Sequence, residues 1–162
     1  MKIKFLLATV LAVSSTFVVY SQTSDAEAEA IVNLLGVQKK EAIARLVNVH
    51  GKDSAAFWKI YDQYQVENKQ TARYRIKLYE STAMAYNNMT PHVADSLANK
   101  YFINRIAQEK MLEEYYKKIK TSTNAVVAFE FYQAEVYLLT QIRAQIMQQI
   151  PTYGELERAA KK

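Results

Sequence analysis

The sequence predicts an all-α protein, an elongated four-helix chain that follows a cleaved export signal. Three observations lead to this. Only three Gly and two Pro interrupt 162 residues, which leaves room for long helices. Apolar residues recur at steps of three and four through most of the chain. No run of alternating apolar and polar residues is long enough for a strand.

The first element is not part of the fold. Lys2 and Lys4 precede an apolar stretch from Phe5 to Tyr20 that only Thr9, Ser14, Ser15 and Thr16 interrupt. Val19-Tyr20-Ser21 then offers a cleavage site, so residues 1–21 read as a signal peptide and Gln22 as the new N-terminus. The stretch is shorter and more hydroxylated than the roughly 20 apolar residues a membrane span requires. Neither an integral span in the mature form nor a lipid anchor on a cysteine is expected, since the chain has no Cys. The expected location is the periplasm.

Cleavage takes two of the 21 Lys and Arg and none of the 16 Asp and Glu, so the formal charge falls from +5 to +3. That excess is too small and too dispersed for nucleic acid, which calls for a concentrated basic stripe. Residues 22–162 have the length of one domain.

Four helices are predicted in it. The first spans about 25–49, with Asp25, Glu27 and Glu29 at its positive end and a stripe of Ile31, Leu34, Leu35, Ala42, Leu46 and Val49. Gly36 weakens its middle, which predicts a kink or a frayed first segment. Gly51-Lys52-Asp53 is the first break, and Asp53 or Ser54 is the expected cap of the second helix, 54–88. Phe57, Ile60, Tyr61 and Tyr64 form a stripe at its start, and Ile76, Tyr79, Ala83 and Tyr86 one near its end. The segment Gln65 to Arg75 between them is polar, which predicts a helix whose centre is exposed or lines a groove. Thr90 as cap and Pro91 at the first helical position open the third helix, 91–121. Its stripe is Val93, Leu97, Tyr101, Met111, Leu112, Tyr115 and Ile119, broken by Asn104 and Gln108. The fourth, 124–150, for which Thr123 is the expected cap, carries Phe129, Tyr132, Val136, Leu139, Ile142, Ile146 and Ile150. Pro151 and Gly154 end it, and 151–162 reads as a tail.

Catalytic and metal chemistry find little to work with. A di-iron bundle needs Glu-x-x-His on two helices, and neither His50 nor His92 has a Glu three residues before it. Both histidines fall at predicted helix starts, where exposure is ordinary. Three glycines make no phosphate-cradling loop. Met84, Met89, Met111 and Met147 do not cluster and read as core filling or plain surface. The protein is therefore expected not to be an enzyme and to need no cofactor and no metal.

Binding is better represented. The basic cluster Lys69, Arg73, Arg75 and Lys77 lies in or just after the polar centre of the second helix. As a client-facing surface it would draw acidic segments by charge; as a plain helix face it would be solvated. Of the twelve tyrosines, Tyr74, Tyr116 and Tyr137 fall off the apolar stripes, and exposed Tyr is favoured at binding surfaces.

Several segments resemble a known family. Ser54-Ala55-Ala56-Phe57-Trp58-Lys59-Ile60-Tyr61-Asp62-Gln63-Tyr64 is similar to the segment after the first Leu-Thr-x-x-Gln motif in Spy/CpxP-like exported proteins of the Bacteroidetes type. A second similarity starts at Met89-Thr90-Pro91-His92-Val93. It continues through Tyr115-Tyr116-Lys117-Lys118 to Ala128-Phe129-Glu130-Phe131-Tyr132-Gln133-Ala134-Glu135, so that together they cover about residues 35–150. In the motif, Thr caps a helix and Gln three residues later reaches back. Here Val93 stands in place of Gln, and Val49-His50-Gly51-Lys52-Asp53 keeps neither residue. The resemblance implies a periplasmic, cradle-like four-helix protein, often an antiparallel homodimer. It also implies ATP-independent holding of unfolded or envelope proteins, or envelope-stress sensing. The alternatives are a dedicated regulatory partner of a sigma-factor or two-component system and, further off, a metal-binding sensor.

Overall fold

A computed structural model describes residues 25–148 and 152–160; the predicted signal peptide lies outside them. Among the described residues all regular structure is helical. The elements are α1 (Asp25–Leu46), α2 (Lys52–Ala85), a 3₁₀ turn (Tyr86–Asn88), α3 (Pro91–Ser122), α4 (Ala125–Met147) and α5 (Tyr153–Ala160). The helix breaks fall within a few residues of those expected. One expectation differs in kind: the segment read as a tail contains α5.

The breaks follow local chemistry. Gly51 occupies φ 61°, ψ −135° immediately before α2, a left-handed φ that glycine adopts at little cost. It turns the chain sharply, and α2 starts at Lys52 with no side-chain cap. Asp53 is thus in the first turn of α2 and is not its cap. Its carboxylate accepts instead from Asn124 Nδ2 at 3.1 Å, joining the two corners at one end of the molecule. Thr90 Oγ1 accepts from Val93 N at 3.2 Å, and Pro91 follows at the start of α3. The cap of α4 is Asn124 and not the expected Thr123, which instead ends α3: Asn124 Oδ1 accepts from Val126 N at 2.9 Å and Val127 N at 3.1 Å, satisfying two donors that a helix start otherwise leaves open.

Each of the first four helices packs against two others: α2 on α3, α3 on α4, α4 on α1 and α1 on α2. The core lies toward the end carrying the Gly51 and Asn124 corners. It contains Ile43, Val47, Phe57, Tyr61, Tyr64, Leu112, Tyr115, Ile119, Ala128 and Phe131, all nearly or fully buried. Aromatic rings meet edge to face within it: Tyr64 lies 5.3 Å from both Tyr115 and Phe131, and Tyr61 lies 6.2 Å from Phe131.

α2 and α3, with 34 and 32 residues, are longer than α1 and α4, with 22 and 23. At 1.5 Å per residue the α2–α3 pair extends roughly 15 Å past the other two. Leu78 and Leu97 are buried along this arm. Thr82 Oγ1 and Tyr101 Oη lie 2.8 Å apart there, and Tyr153 of α5 rests 5.8 Å from the ring of Tyr86.

Asn124→Ala removes the acceptor for two helix-start donors and should lower stability by about 1–2 kcal/mol. Asp53→Ala, which removes no cap, should cost clearly less. Urea unfolding followed by circular dichroism compares the two; equal losses would place the cap at Asp53 after all.

Candidate functional site

The buried face of α4 is Val127, Ala128, Phe131, Ala134, Glu135, Leu138 and Leu139. The stripe expected from sequence differs, for Phe129 is 52% exposed and Tyr132 38%. The reason is Glu135. A carboxylate reads as an outward residue, yet here it is fully buried because its partners point inward too. Lys39 Nζ lies 2.8 Å from Glu135 Oε2. Tyr64 Oη donates to Oε2 at 2.6 Å and Tyr61 Oη to Oε1 at 3.3 Å. Lys39 is 6% exposed and sits 5.0 Å above the ring of Tyr64. On α1 the buried positions are Lys39 and Ile43, with Val47 just past its end, while the predicted Ala42 and Leu46 pack half-buried beside them and the predicted Val49 is buried.

The network continues outward. Gln108 Nε2 of α3 donates to Tyr64 Oη at 3.4 Å, and Arg75 Nη1 donates to Gln108 Oε1 at 3.3 Å. Asn104, the other polar interruption of the α3 stripe, donates from Nδ2 to Thr71 O at 3.2 Å. Both interruptions are buried, so the polar positions on that stripe are interior partners of α2.

Beside this network opens a cleft of about 430 Å³ between α1, α2 and α4. The polar centre of α2 lines it, with Gln65, Val66, Asn68, Lys69, Ala72 and Arg75. Leu35 and Val37 of α1 and Leu139 and Ile142 of α4 complete the apolar wall. Gln65 Nε2 donates to Gly36 O at 3.0 Å, holding α1 against α2 at one edge. Lys40 of α1 pairs with Asp62 of α2 at the lip. Arg75 is half-buried, and burial lowers its guanidinium pKa, with nearby Arg143 acting in the same direction. Asn68 is 5% exposed, and its Oδ1 has no hydrogen-bond partner. An unmatched buried acceptor costs about 1–3 kcal/mol.

The residues singled out from sequence separate in space. Lys69 and Arg75 meet on the cleft; Arg73, Tyr74 and Lys77 belong to the same helix but do not line it. Tyr74 and Tyr137 are 45% and 44% exposed. Tyr116 is not an exposed tyrosine: it is half-buried and packs on the core. His50 and His92 are both exposed. Among the described residues no three His, Cys, Asp or Glu side chains are grouped to hold a metal, and no helix is long and apolar enough to cross a membrane.

Sequence reasoning missed one surface. Phe102, Ile103 and Ile106 of α3 are 62%, 67% and 55% exposed. Phe102 and Ile106 lie opposite the Leu97–Asn104–Gln108 stripe at 100° per residue, so the signal was their position off that stripe. Exposed Lys100, Arg105 and Lys110 surround them in sequence.

Compared with family models, with curated proteins and with solved structures, the chain has no match.

Lys39→Met leaves Glu135 buried without its counter-charge and should cost about 3–5 kcal/mol, whereas Lys39→Met/Glu135→Leu should recover most of that loss. Denaturant unfolding of the two variants tests this. Tyr61 and Tyr64 titrate above the ordinary phenol value, first because they are buried and then because Glu135 is negative. A raised folded-state pKa means the neutral form is favoured by folding, so this stability is intact below about pH 10 and lost above it. The melting temperature should therefore fall steeply above about pH 10, and Tyr64→Phe should flatten that fall.

Proposed function

We propose that the protein is an exported, ATP-independent binding protein that holds other polypeptides on its helical surface, as a holdase-like chaperone or envelope-stress adaptor of the periplasm. The single observation that carries this reading is the uncovered apolar group Phe102, Ile103 and Ile106 on the outer face of α3. Burying large apolar side chains is worth about 1.5–3 kcal/mol each, so a stable helix that leaves three of them in water offers them to a partner. Exposed Asp95, Glu109 and Lys110 border the same face, so it offers both signs of charge around its apolar centre. Further uncovered apolar residues, Val126 and Phe129, lie at the start of α4, which gives an extended client more than one place to touch. The charged amino terminus followed by an apolar stretch supports export, and the resemblance to Spy/CpxP-like proteins supports the same activity.

The test is aggregation of a chemically denatured client followed by light scattering. The protein at stoichiometric ratio should suppress scattering, and Phe102→Ser/Ile106→Ser should lose most of that effect while keeping its helix content and melting temperature. Unchanged scattering with the native sequence in excess would count heavily against the proposal. A single stoichiometric complex in a pull-down from envelope extract would instead favour a dedicated regulatory partner. A mass doubled in solution and halved by the same substitutions would assign the face to a second copy.

A further inference from the structure

We propose that the cleft between α1, α2 and α4 is a binding site for a small amphiphilic carboxylate of the medium-chain fatty-acid class, separate from the outer face of α3. Its two ends differ in chemistry. Leu35, Val37, Val66, Leu139 and Ile142 supply apolar walls, and two of them, Val37 and Val66, stand 61% and 69% exposed at the opening. Lys69, Arg75 and Asn68 supply the polar part.

The charge balance selects the sign of the ligand. Lys39, Lys40, Lys69 and Arg75 line the cleft, against Asp62 as its one lining acid. Lys40 is taken by Asp62 and Lys39 by Glu135. Among the described residues that leaves Lys69, and Arg75, which is bonded to the neutral amide of Gln108 and feels Glu135 only through space, without a paired carboxylate. An Arg guanidinium presents a fork of donors that fits a carboxylate.

Asn68 points to a ligand independently. Its side chain is 5% exposed, lines the cleft and carries an oxygen with no partner. Turning the amide over exchanges acceptor for donors, so it can donate to a carboxylate held by Arg75. A volume of about 430 Å³ lies in the range of small-molecule sites, and such sites are largely apolar with a few placed polar groups.

Isothermal titration calorimetry of the purified protein with dodecanoate tests this, with dodecanol, dodecyltrimethylammonium and acetate as comparison ligands. Dodecanoate should bind saturably at one per chain, and the other three at least about tenfold more weakly. Arg75→Gln should weaken dodecanoate by about tenfold, the loss of one charge-assisted bond. Val66→Glu, placed at an exposed position so that folding is undisturbed, should weaken it through repulsion at the opening. Phe102→Ser/Ile106→Ser should leave dodecanoate binding unchanged. Absence of saturable binding, equal affinity for the cationic or neutral chain, or loss of binding on substituting Phe102 and Ile106 but not Arg75 or Val66 would overturn the proposal. These outcomes are independent of the aggregation assay, since neither surface needs the other.

Discussion

One carboxylate sets the arrangement of the helices. Glu135 on α4 is fully buried and reaches Lys39 on α1 and two tyrosines on α2. Through Tyr64 the same network touches Gln108 on α3. Charge in an apolar interior is costly unless every lone pair finds a partner, and the partners here come from separate helices. Sliding any one of them by a single residue would leave a charge or hydroxyl unmatched. Apolar packing tolerates small shifts, whereas this set does not, and it therefore fixes the helix faces that the surrounding Phe and Tyr rings fill.

The network also divides the molecule. On the side of the Gly51 and Asn124 corners, the interior is aromatic and aliphatic and closely filled. On the other side, α2 presents Asn68, Lys69 and Arg75 toward the space between α1 and α4. These polar side chains cannot close against apolar neighbours without stranding their hydrogen-bonding groups. The cleft is what remains when the helices meet only as far as those groups allow. Arg75 belongs to both regions, because its bond to Gln108 ties the cleft to the core.

Much of the fold is legible in the residues. Few breakers and strong three-and-four spacing yield the helices, and the cap at Thr90 lies where it is expected, whereas the cap of α4 is Asn124, one residue past the expected Thr123. The stripe of α3 reads correctly even through Asn104 and Gln108. The faces of α1 and α4 do not, for a shared physical reason: Lys39 and Glu135 each look like surface residues until they are seen as a pair. α4 is apolar on nearly all sides, so its periodicity alone does not choose between Phe129 and Phe131. The break at Gly51 is legible, but the residue that starts the helix is not, since Asp53 and Ser54 have the chemistry of a cap and the helix begins before both. Of the site, the polar centre of α2 is evident from composition, while the α1 and α4 walls that turn it into a cleft depend on tertiary packing.

The unequal helix lengths place one continuous helix in two regimes. The first half of α2 is locked among Phe57, Tyr61 and Tyr64, whereas its last turns lean on Leu78 and on partners across a narrow two-helix contact. Such packing ties the backbone of the first half to the domain core and leaves the turns past Arg75 with fewer buried partners, the condition under which local opening costs less than global unfolding. The helix is thus a rigid stem with a compliant tip, and α5, resting Tyr153 on Tyr86, acts on the compliant end.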